Sequence, residues 1–65
     1  MNKTLGEIHD ELLTIVRKLH VAYMGDDRDE INRAEKAYAN AQEIYGKEAV
    51  ALIQKYYNEE VIAKA

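Results

Sequence analysis

The chain has 65 residues, no Cys, no Pro and a formal charge of −3. That length allows one small domain, the missing Cys excludes disulfides and thiolate metal sites, and the acidic balance disfavours broad binding to a phosphate backbone. No apolar run approaches the ~18 residues of a membrane span. The N-terminal stretch lacks the apolar core of a signal peptide, so the expected location is the cytoplasm.

Gly occurs only at positions 6, 25 and 46, and good helix formers fill much of the rest. The reading is all-α: a helical hairpin plus a third helix, one domain over 1–65, with helices at about 4–24, 27–45 and 47–62. Met1 to Lys3 and Ala63 to Ala65 are expected to fray.

The first helix carries the cleanest pattern. Leu5, Ile8, Leu12, Ile15, Leu19 and Ala22 recur at alternating steps of 3 and 4, which places them on one helical stripe. Val16 and Tyr23 widen that stripe, and Leu13 stands to its other side. A lone helix of this kind is marginal in water, so the stripe must be buried against the same chain or a second copy. Leu5, Ile8, Leu12, Ile15, Leu19 and Tyr23 are therefore the expected core or dimer residues. Thr4 and Glu7 have capping-box spacing, and Gly6 between them reads as a close packing contact or chance. The opposite face carries Glu7, Asp10, Glu11, Thr14, Arg17 and Lys18.

Gly25 follows as a helix stop, expected in the left-handed conformation. Asp27, three residues before Glu30, reads as the next N-cap, so the connection is short and the two helices are antiparallel neighbours. The whole charge excess sits here: Asp26, Asp27, Asp29, Glu30 and Glu35 face only Arg28 and Arg33. The second helix repeats the stripe with Ile31, Ala34, Tyr38, Ala41 and Tyr45, small residues alternating with large ones, and Ala37 and Ile44 flank it.

Gly46 predicts a break, because the apolar register restarts beyond it. Ala49, Leu52 or Ile53, Tyr56, Glu60 and Ala63, with Val50, Tyr57 and Val61 beside them, read better than an extension of the second stripe. Adjacent Tyr56 and Tyr57 lie about 100° apart on a helix, so both can hardly be central in one small core.

Candidate chemistry is sparse. His9 and His20 lie about 16 Å apart along one helix, too far to share a metal. Asp26, Asp27, Asp29 and Glu30 lack the spacing of a calcium loop, and capping explains them. With no Ser and no Cys, and acids spread over solvated faces, no nucleophile constellation stands out. The expectation is a non-enzyme without metal or cofactor.

Tyrosine is the unusual feature: five Tyr, no Phe and no Trp. Tyr is enriched where a surface is buried against a partner. The candidate partner-binding residues are Asp26, Asp27, Asp29 and Glu30, with Tyr38, Tyr45, Tyr56 and Tyr57. The expected function is a small acidic interaction module, an inhibitor or adaptor that binds a protein with a basic surface, and the short chain is expected to form a helical homodimer. The alternatives are a DNA-associated transcription regulator, an acidic DNA mimic that blocks a nucleic-acid-binding protein, and a structural or assembly protein. Direct nucleic-acid binding is disfavoured by the acids of the turn.

Overall fold

A computed structural model describes residues 3–64. Among them three helices form in chain order: α1 (Leu5–Met24), α2 (Arg28–Tyr45) and α3 (Lys47–Tyr57). A π-helical turn, Asn58–Ile62, continues α3. No strand occurs among the described residues.

Each boundary has a local cause. The Thr4 hydroxyl oxygen accepts from the Glu7 N–H at 3.1 Å and starts α1. The Glu7 carboxylate is used by the Thr4 hydroxyl at 3.2 Å, so the return bond of a full capping box is not the one formed. Gly6 packs against nothing closely; a Cβ there would meet only Thr4 Oγ1, at 3.9 Å. Asp27 caps α2 by accepting from the N–H groups of Asp29 and Glu30, at 3.0 and 3.4 Å.

Gly25 departs from its expected left-handed state. Its φ of −96° and ψ of 175° are extended, and its N–H donates to the Ala22 carbonyl at 3.1 Å. The connection is only Gly25, Asp26 and Asp27, and extended backbone at Gly25 and at the Asp27 cap turns the chain without a left-handed residue. Gly46 is the residue with positive φ, 95° with ψ 147°, a region that L side chains rarely adopt. It alone separates α2 from α3.

The expected single third helix changes character near its end. The Asn58 N–H is shared between the carbonyls of Gln54 and Lys55, and the Ala63 N–H donates to Asn58 five residues back, at 2.9 Å. Only the second of these bonds, five residues back instead of four, is the one-residue shift of a π turn. Neither terminal segment is idle. Lys3 pairs with Glu11, and Lys64 pairs with Glu60 at 2.7 Å. The expected fraying of Met1, Asn2 and Ala65 lies outside the described residues.

The core is small: Leu12, Val16, Ala22, Ala41, Val50 and Tyr57 are buried. Leu12, Ala41 and Val50 meet at its centre, one from each helix, with Ile8, Ile15, Tyr38, Tyr45, Ala49 and Ile53 packed around them. The α1 stripe is thus buried at Leu12 and again at Ala22, and open at its first turn. Leu12 is buried and Ile8, Ile15 and Leu19 are half-buried, but Leu5 is 87% exposed and Tyr23 56%. The first turn of α1 outruns its cover, and of the two residues that widen the stripe Val16 is buried and Tyr23 is not. In α3 the buried line runs through Val50, Ile53 and Tyr57, so Ile53 faces inward and Leu52 outward, 68% exposed.

Candidate functional site

The two helix pairs are closed by different means. Along α1 and α3, adjacent Tyr56 and Tyr57 straddle α1. Tyr56 sets its ring edge-on to His9, with centroids 5.8 Å apart, and Tyr57 does the same to His20 at 5.5 Å. The Tyr57 hydroxyl lies 2.8 Å from His20 Nδ1. Two neighbouring side chains, diverging by one residue of helix rotation, so reach histidines three turns apart.

Between α1 and α2 the ties sit near the two ends. Lys3 Nζ donates to Glu11 Oε2, and the Tyr45 hydroxyl donates to the same oxygen at 2.6 Å. These hydrogen bonds, from Lys3 first and Tyr45 second, hold the Glu11 carboxyl below its ordinary range. The bond to Glu11 in turn raises the Lys3 ammonium above its own. Toward the other end the Tyr23 hydroxyl donates to Glu35 Oε2 at 2.7 Å, which raises the phenol's pKa.

Toward the turn end, beside the Tyr23–Glu35 tie, α1 and α2 leave a groove of about 610 Å³ that no α3 residue lines. Ile15, Val21 and Ala22 of α1 and Ala34 and Ala37 of α2 supply its apolar surface. Arg17, Lys18 and Arg33 stand on its rim with a single acid, Glu30. All three bases are exposed, and among the described residues none of them enters an ion pair.

The residues expected to bind a partner do not gather into one patch. Asp26, Asp27, Asp29 and Glu30 are exposed, with Asp27 engaged as the α2 cap. Tyr38 is half-buried against the core, and Tyr45 sits at the far end of α2 on Glu11. Tyr56 is 46% exposed, whereas Tyr57 is 4% exposed and occupied by His20. Tyr57 is therefore a core residue and offers no outward contact. Its neighbour is the one that faces out, as expected of one member of the pair.

Among the described residues no three His, Asp or Glu side chains lie close enough to hold a metal ion. No helix among them is long and apolar enough to cross a membrane.

Sequence reasoning missed the groove bases. Arg17 and Lys18 read as part of a solvated face, and Arg33 as a minor offset to the turn acids. The signal was present: Arg17, Lys18, Val21 and Ala22 share one side of α1, and Glu30, Arg33, Ala34 and Ala37 share one side of α2. An antiparallel hairpin brings those two sides together. No protein family, curated protein or solved structure matches the chain.

Proposed function

We propose that the protein is a non-catalytic interaction module, an inhibitor or adaptor that works by binding another protein. The observation that carries this reading is the open groove between α1 and α2: apolar at its floor, with Val21 56% exposed, and bordered by unpaired charge. Apolar surface left in a concave seat between two helices is what a helical ligand covers. The exposed acids Asp26, Asp29 and Glu30 supply a second charged surface, complementary to a basic region of a partner.

The chain is also proposed to form a homodimer. Leu5, Met24, Ile44 and Leu52 are each more than 60% exposed, and a chain this short gains stability by covering such residues.

The test is a photo-crosslinking side chain at position 21, used on the full chain in extract of the source cells. A saturable adduct with another protein, displaced by excess unlabelled chain, is expected. Adducts with its own copies alone would make the protein an assembly element and defeat the reading. Sedimentation equilibrium at micromolar concentration checks the dimer; a monomer throughout removes it.

A further inference from the structure

We infer that the groove between α1 and α2 binds an acidic amphipathic helix of a partner protein, an inference that deepens the interaction reading by naming what its site accepts. Three observations converge. The first is shape. The groove follows α1 from Thr14 to Ala22 and α2 from Glu30 to Ala37, about 12 Å along the helix axes, the length of two to three helical turns. The second is its floor. Ala34 and Ala37 bring no bulk to the α2 wall, so a third backbone can approach closely, while Ile15 and Val21 offer contacts for its apolar stripe.

The third observation is charge. The chain as a whole is acidic, yet this groove gathers three bases against one acid. Among the described residues two cations, Lys3 and Lys64, pair with Glu11 and Glu60, while Arg28, Lys36, Lys47 and Lys55 are exposed and unpaired but scattered, so what sets the groove apart is that its three bases lie together. Arg17, Lys18 and Arg33 have no such partners among the described residues. A ligand whose apolar stripe faces the floor and whose flanking Glu or Asp side chains reach the rim satisfies both features together.

The same features disfavour the other occupants. A two-fold dimer through this face brings the same patch, three bases with one acid, against itself and so carries a net like-charge excess. A nucleic acid brings no apolar stripe to the floor, and an anionic membrane surface does not fill a concave seat between two helices.

The experiment uses the full chain, isotope-labelled, and a fluorescent synthetic helix of about four turns with Leu along one face and Glu along the flanks. Saturable binding is expected, with amide shift changes concentrated at residues 14–22 and 30–37. Arg17→Glu with Arg33→Glu is expected to weaken it at least tenfold. Both residues are exposed, and circular dichroism checks that the double variant keeps its helices. Peptides with Lys in place of Glu, or with Ser in place of Leu, are expected not to bind. The inference is overturned by no binding, by equal binding of the Lys peptide, by indifference to the charge reversal, or by shifts at the groove with phosphatidylserine vesicles but not with the peptide. A saturable crosslink from position 21 to a protein, together with failure of the acidic peptide, would sink this inference while leaving the interaction reading in place.

Discussion

The α1–α3 side and the α1–α2 side of this molecule are built from the same first helix and end in opposite states. On the α3 side large residues interlock: Val16 and Val50 are fully buried, and Tyr56 and Tyr57 clasp His9 and His20. On the α2 side alanines line the approach, and the space they leave is the groove. Filling is thus a matter of side-chain volume as much as of periodicity, because both contacts come from stripes with the same spacing. Larger residues leave the α1–α3 contact a much smaller space than the alanines leave between α1 and α2.

The sharpest way to break this comparison is to truncate one residue on each side. Leu12→Ala, at the centre of the filled core, is expected to cost about 2–5 kcal/mol by urea unfolding. Val21→Ala, at the groove, is expected to stay within about 0.5 kcal/mol. Similar costs would mean that the groove is part of the folded core.

The next largest effect concerns the joint that presents α3 to α1. Gly46→Ala puts a Cβ on a residue with φ of 95°, and a cost of about 1–3 kcal/mol in the unfolding midpoint is expected. Space is not the problem, since nothing lies within 4 Å of the added carbon; the backbone conformation is. An unchanged midpoint would show that α3 docks at another φ.

A smaller effect tests the clasp itself. Tyr57→Phe keeps the ring on His20 and removes the hydroxyl, and a loss of about 0.5–1.5 kcal/mol is expected, with a displaced His20 nitrogen resonance in NMR. No change in that resonance would remove the hydroxyl from the clasp.

The smallest effect is at the Lys3–Glu11–Tyr45 tie. The folded chain holds Glu11 below its ordinary 4.5, so its contribution is present above that pH and is lost as pH falls through the lowered value. Lys3 is held above its ordinary 10.5, so its contribution is present below that pH and lost as pH rises through the raised value. The stability difference between the native chain and Glu11→Gln is expected to be small, since the groups are solvated, and to close as pH drops below 4.5. A difference that persists unchanged in acid would remove the ion pair from the account.

Much of the fold was legible because its signals are local. Thr4, Asp27 and Gly46 set the helix boundaries through caps and a backbone break that act within a few residues. The inward face of α2 followed from its period: Ala41 is buried and Tyr38 and Tyr45 pack beside it. Legibility failed where two elements decide together. Leu5 has the spacing of a core residue, but its side chain stays 87% exposed although Tyr45 reaches Glu11 nearby. Tyr57 looked as available as Tyr56 until His20 was placed opposite it. The groove was the least legible, since its bases belong to two helices and become one site only when the hairpin closes.

The two connections are three residues and one residue long. Closing a loop costs entropy that grows with its length, so these joints leave little to be lost when the helices meet. Each ordered residue still costs roughly 1–2 kcal/mol, and six buried side chains offer limited return. Short joints therefore relieve a core that has neither disulfide nor Trp to reinforce it. A helical domain with such joints is expected to fold within about milliseconds. The same scarcity of residues outside the helices that keeps these joints short leaves no loop to cover Leu5 at the start of α1.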